Sequence, residues 1–220
     1  MTPPRLLAVA PPGWHADLRA FRRQLMHFTE ATADLGAGAA VYLRAHDQTL
    51  AQWHAWLTGL QVSTLGALRV GVSAPLGDGV LDIAASHNLL VEQGIRFVHL
   101  PATTAKARWL LLHQDVDFRL EMSCPCHDPQ DLGDVAYAWR LLSPVLPTPS
   151  KPGQPSLGLE RLTEAVQQSR TPLLALGGVD ALTAPAVLAT GVAGIACLRA
   201  AWHDAEALVR ACVADPRGSS

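Results

Sequence analysis

Leu174-Ala-Leu-Gly-Gly-Val179 and Gly191-Val-Ala-Gly-Ile-Ala-Cys-Leu-Arg199 are the two stretches that decide the architecture. In the first, the apolar run Pro172–Leu176 ends on two adjacent glycines. In the second, Gly194–Cys197 is another short apolar run, followed by a turn that carries an arginine. Runs this short and this apolar read as parallel strands buried on both faces. The same unit recurs upstream, at Arg5–Ala10, Ala39–Leu43, Leu68–Val72, Phe97–Leu100, Phe118–Met122 and Ala136–Leu142. Amphipathic helix candidates alternate with the runs, at Ala16–Leu35, Leu50–Leu57, Ala84–Gln93, Ala105–Gln114, Leu159–Ser169, Ala181–Leu188 and Asp204–Val213. The last of these opens on an aspartate, a favourable N-cap. Pro129–Val135, after the fifth run, is short and makes a weak helix.

Eight strand units in 220 residues predict an α/β protein, a single (β/α)8 TIM barrel near the lower size limit, closed by right-handed crossovers. The alternative is an open doubly wound sheet. No G-x-G-x-x-G follows the first strand, which weakens a dinucleotide-binding version of it. The richest Pro/Ser stretch, Ser143–Leu157, is too short to divide domains and reads as an end-face loop. Residues 1–214 are expected to form the barrel and residues 215–220 a C-terminal tail.

Composition narrows the function classes. Apolar residues make up 49% of the chain, which argues against disorder. The formal net charge is −2 with no long basic run, so nucleic acid is not an expected partner. No stretch reaches the roughly 18 uninterrupted apolar residues of a membrane span. Met1–Ala10 lacks the pattern of a signal peptide. Four cysteines, Cys124, Cys126, Cys197 and Cys212, are too few for a disulfide scaffold, and a cytoplasmic protein with reduced thiols is expected.

In a barrel of this kind, chemistry belongs at the C-terminal ends of the strands. Gly177 and Gly178 stand there, where glycine lets backbone amides approach an anion, and the loops after strands seven and eight are the usual phosphate site. Arg199 adds a permanent charge. After the sixth strand, Thr148, Ser150 and Lys151 supply two hydroxyls and an ammonium in a loop stiffened by Pro144, Pro147, Pro149 and Pro152. The plainer readings are a tight turn, a surface arginine and a rigid solvent loop.

The order P-T-x-S-K, L-G-L-E-R-L, A-L-G-G-V, G-V-A-G-I-A resembles the second half of the thiamine phosphate synthase/TenI family, specifically from about residue 94 onward. The first half is similar more loosely, through Val41-Tyr-Leu-Arg-Ala-His46, Gly94-Ile-Arg-Phe-Val-His-Leu100 and Leu120-Glu-Met-Ser123. The resemblance implies a barrel that joins an aminopyrimidine diphosphate to a thiazole phosphate with magnesium on the diphosphate, or a thiazole tautomerase. By position it implies that Arg44 contacts the pyrimidine side, with His46 at a usual lysine and Tyr42 at a usual glutamine. Ser123 matches a serine after the fifth strand. Thr148, Ser150 and Lys151 match the hydroxyl-hydroxyl-lysine group. Gly177 and Gly178 match the thiazole phosphate loop, which Leu198 and Arg199 complete, Arg199 in place of a serine.

The departures from the family pattern bear on the chemistry. Ser73-Ala74 stands where the synthase has Asn-Asp, and Thr104 where it has a metal-binding aspartate, so the usual magnesium carboxylates are missing. Asp78 is the nearest substitute but does not align with the metal. Pro144 stands where TenI has its histidine. His46, His99 and His127, each at a strand end, are the alternative acid/base candidates, or structural histidines. Arg44, His46, His99, Ser123 and Lys151 are therefore the candidate catalytic set. Cys124, Cys126 and His127 could bind a soft metal or carry a reactive thiol, or be inert core. Cys197 and Cys212 read as core, and Trp53, Trp56 and Trp109 as packing between helix and sheet. No cofactor is expected; magnesium is possible, but its usual ligands are absent. The expected partner is a small phosphorylated molecule, with no membrane partner and self-association left open. Two functions remain: an enzyme of thiamine metabolism that binds thiazole phosphate or thiamine phosphate, and a non-catalytic relative that binds such a ligand for carriage or regulation.

Overall fold

A computed structural model describes residues 2–45, 48–74, 80–100, 119–128, 137–150 and 152–215. Its strands are β1 Leu6–Val9, β2 Ala39–Leu43, β3 Arg69–Ser73, β4 Phe97–His99, β5 Glu121–Cys126, β6 Trp139–Leu142, β7 Leu173–Leu176 and β8 Gly194–Cys197. All pair in parallel in chain order, and β8 returns to β1, so the sheet closes on itself without an edge. The described helices are α1 Leu18–Ala31, α2 Leu50–Leu60, α3 Val80–Glu92, α4 Leu159–Gln168, α5 Ala184–Ala189, α6 Ala200–His203 and α7 Ala205–Ala214. The chain is a single (β/α)8 TIM barrel.

The helices form where capping and apolar spacing agree. Asp17 caps α1 by accepting the Ala20 N–H, and Phe21, Leu25 and Phe28 make its buried stripe. Thr49 and Gln52 close a capping box at the start of α2. Several boundaries differ from expectation. The helix read from Ala16 to Leu35 stops at Ala31 and passes into a 3-10 segment, Ala33–Gly38. The helix read from Ala181 starts at Ala184, because the Asp180 carboxylate takes the N–H groups of Leu182 and Thr183 into a turn. Asp204 occupies the N-cap of α7 without a side-chain capping bond. The candidates Ala105–Gln114 and Pro129–Val135 lie outside the described residues. Asp215, assigned to the tail, is buried and ion-paired with Arg5.

The fifth strand is the main correction, from Phe118–Met122 to Glu121–Cys126. Leu120, Met122, Cys124 and Cys126 face the helix layer, while Glu121 and Ser123 alternate into the barrel. Polar inward residues and Pro125 interrupt the apolar run that would mark a strand. Glu121 is accommodated by an ion pair with Arg69, whose guanidinium also lies 5.2 Å from the Trp139 ring centroid.

Inside the barrel, Leu7, Val9, Ala40, Tyr42, Phe97, Trp139, Leu141, Leu174 and Ala196 form one packed cluster. A Cβ at Gly71 would sit 2.2 Å from the Phe97 ring, so glycine makes room for that ring. Trp53 is buried among the outer contacts and Trp56 packs partly buried beside it, as read from sequence; Trp109 is outside the described residues. Among the described residues, no helix is long and apolar enough to cross a membrane.

Candidate functional site

The loops after β6, β7 and β8 meet at the C-terminal mouth of the barrel around a cavity of about 450 Å³. Arg44, Thr148, Ser150, Gly177, Gly178, Leu198 and Arg199, seven of the residues singled out from sequence, line it together. Val9 and Leu176 form part of its apolar floor. A small organic ligand fits a site of this size.

The double glycine is demanded by packing. Gly177 has φ 98° and Gly178 φ 70°, in the region that side chains disfavour. A Cβ on Gly178 would stand 2.6 Å from Leu146 Cβ and 2.7 Å from the Pro147 carbonyl oxygen. The loops are also tied through the backbone: Val145 N–H donates to Leu176 O and Leu146 N–H to Gly177 O, each at 3.0 Å. The β6 loop therefore rests directly on the glycine turn, with Thr148 and Ser150 beyond the contact. The Ser143–Pro144 peptide is cis.

Among the described residues, charge in the cavity comes from two exposed guanidiniums, Arg44 and Arg199, and one exposed carboxylate, Asp180. The Thr183 backbone N–H, first among several donors, holds the Asp180 carboxyl below its ordinary range, so it stays ionised. The sequence reading did not single out Asp180. The signal was present in Asp180-Ala-Leu-Thr183, whose ends hydrogen-bond each other as in an Asx turn. Trp14 was also missed; its indole N–H donates to the Arg44 carbonyl at 2.9 Å.

His99 and Ser123 lie on neighbouring strands, in register. His99 Nδ1 and Ser123 Oγ are 3.0 Å apart. Ser123 is fully buried within β5, not in a loop after it. Beside this pair, the Tyr42 ring stands 4.8 Å from the His99 ring, and the Tyr42 hydroxyl pairs with Ser73 Oγ at 2.9 Å. Burial pushes the Tyr42 phenol above its ordinary value. His46 and Lys151, the other two catalytic candidates, lie outside the described residues. His127 is exposed, its Nδ1 2.9 Å from Ser143 O. Cys124 and Cys126 are buried strand residues, not loop ligands beside His127, and no group of three His, Cys, Asp or Glu residues that could hold a metal occurs among the described residues.

The magnesium expected of a synthase finds a poor set of ligands here. Ala74 presents a methyl where a carboxylate is needed, and Ser73 Oγ is already shared between the Tyr42 hydroxyl and the Ala45 N–H. Thr104 lies outside the described residues. The described residues do not fit the metal.

Fold and mouth together define the class, a (β/α)8 barrel with its cavity under the loops of the last three strands. Residues 130–201 match the family model described as thiamine monophosphate synthase. The thiamine-phosphate synthase of Corynebacterium jeikeium is 31% identical over 179 residues, covering 77% of this chain and 78% of that protein. That of Corynebacterium efficiens is 47% identical over 64 residues, 29% of this chain and 30% of the relative. The match to the Neisseria gonorrhoeae thiamine-phosphate synthase likewise spans only 28% of its length, at 51% identity. Among solved structures, thiamine phosphate pyrophosphorylase from Pyrococcus furiosus superposes with a TM-score of 0.65 over 95% of both chains at 16% identity, a likeness of fold. The chain belongs to the thiamine phosphate synthase/TenI family.

Proposed function

We propose that this family member binds a thiazole phosphate or thiamine phosphate, with the phosphate between the Gly177–Gly178 turn and the Leu198–Arg199 turn. The observation that carries the reading is the convergence of both turns, Arg44 and Arg199 on one mouth cavity. A phosphate ester carries on the order of −1.5 to −2 charge near neutral pH. Two guanidiniums against the single Asp180 carboxylate leave the described wall net positive. Guanidinium forks suit phosphate oxygens, and glycine amides can approach them closely. The names of the relatives supply the thiamine side of the ligand class.

In this reading the arginines offset ligand charge, and no step passes through magnesium. Calorimetry with a thiazole alcohol, its phosphate ester and thiamine phosphate, each with and without magnesium, tests it. The phosphorylated ligands should bind, the alcohol should not, and magnesium should leave the affinities unchanged. Equal binding of alcohol and ester, or binding of neither ester, rejects it.

A further inference from the structure

One peptide unit at the cavity wall is held from both ends by side chains. The Arg44 carbonyl accepts the Trp14 indole N–H at 2.9 Å. The N–H of the same peptide, that of Ala45, donates to Ser73 Oγ at 3.2 Å. Neither bond belongs to the strand ladder, which ends at Leu43. The two side chains reach the peptide from opposite sides, Trp14 from the loop after β1 and Ser73 from the end of β3.

Both holders are themselves fixed. Trp14 is 4% exposed, follows Gly13 in a left-handed conformation, and packs its ring against Phe21, Trp53 and Trp56. Its single side-chain donor is spent on Arg44. Ser73 is 6% exposed and pinned by the Tyr42 hydroxyl. An exposed arginine on a free loop end would spread over many rotamers, and ordering it would cost entropy on binding. Fixing its backbone removes part of that cost before any ligand arrives.

We propose that Trp14 and Ser73 are positioning residues of the mouth cavity: clamping the Arg44–Ala45 peptide, they aim Arg44 at a bound anion. The inference rests on the anion-binding reading of that cavity. Neither residue needs to touch the ligand.

Trp14→Phe keeps an aromatic ring and removes the donor; Ser73→Ala, on a different strand, removes the opposite holder. Two measurements test the proposal, hydrogen exchange of the Ala45 amide by NMR and the affinity for inorganic phosphate by calorimetry. Ala45 should exchange faster in both variants. Each should bind phosphate about three- to ten-fold more weakly, the effect of one lost hydrogen bond. In an Arg44→Ala background, either substitution should change phosphate affinity no further, because its effect passes through Arg44; a general loss of structure would remain additive. Unchanged Ala45 exchange, unchanged phosphate affinity in both variants, or additivity with Arg44→Ala overturns the positioning role alone. A wild-type protein that binds no phosphate overturns the anion reading and this role together.

Discussion

Gly178 and Leu146 approach so closely that no side chain could stand between them: a Cβ on Gly178 would fall 2.6 Å from the Leu146 Cβ. This contact seats the β6 loop on the β7 turn and sets the shape of the cavity. Gly178→Ala would meet Leu146 and the Pro147 carbonyl and would also place a side chain at φ 70°. It should destabilise the protein by about 1–3 kcal/mol, the usual effect of overpacking, and displace Thr148 and Ser150. Urea denaturation measures the first effect and phosphate calorimetry the second. Wild-type values in both would show that the loop contact is dispensable.

Arg199 is exposed at the cavity. Arg199→Ala should weaken phosphate binding roughly ten-fold or more, as a lost charged hydrogen bond does, while leaving the melting temperature unchanged. Wild-type binding should also weaken as salt rises from low to physiological strength, since exposed charges are screened. An affinity insensitive to both salt and Arg199→Ala would show that this guanidinium faces solvent alone.

The barrel was legible because most of its strands are apolar on both faces, and all but β3 and β5 lie within or at the limits of the runs read for them. The fifth was misplaced for a physical reason. Glu121 and Ser123 point inward, and their partners, Arg69 and His99, come from β3 and β4. A local apolar pattern cannot reveal a polar residue whose counter-charge lies two strands away. The mouth cavity was legible where glycine and proline mark its loops. Trp14 was not, because its hydrogen bond to Arg44 spans thirty residues and depends on the loop after β1 folding back against the end of β2.

The buried thiols give the stability a pH dependence. Burial pushes Cys197 up to about 12 and Cys212 to about 11, from an ordinary 9.0. Their folded values exceed their unfolded ones, so the stabilisation is complete below about pH 9 and lost as pH rises toward the folded values. The melting temperature should fall above pH 9, and less steeply in Cys197→Ala than in the wild type. At pH 8 the native protein should resist a thiol reagent that modifies all four cysteines after denaturation, since all four are buried. Rapid native labelling of Cys124 or Cys126 would reveal a reactive thiol instead.

At the opposite end of the barrel, Arg69 and Glu121 form an ion pair whose side chains are 12% and 9% exposed. Arg69 also donates to the Thr2 carbonyl at 2.9 Å and lies over Trp139. Burial pushes the Glu121 carboxyl above its ordinary value although Arg69 pulls the other way, so desolvation is the larger influence. The pair therefore adds little net stability as a unit, yet breaking it is costly because one charge stays buried. Glu121→Ala should destabilise the fold by about 3–5 kcal/mol. Replacing both partners, Arg69→Met with Glu121→Leu, should recover most of that loss, since packing then takes the place of desolvated charge. Denaturant midpoints of the single and double variants decide the matter. A Glu121→Ala protein as stable as the wild type would mean that solvent reaches the floor of the barrel and screens Arg69.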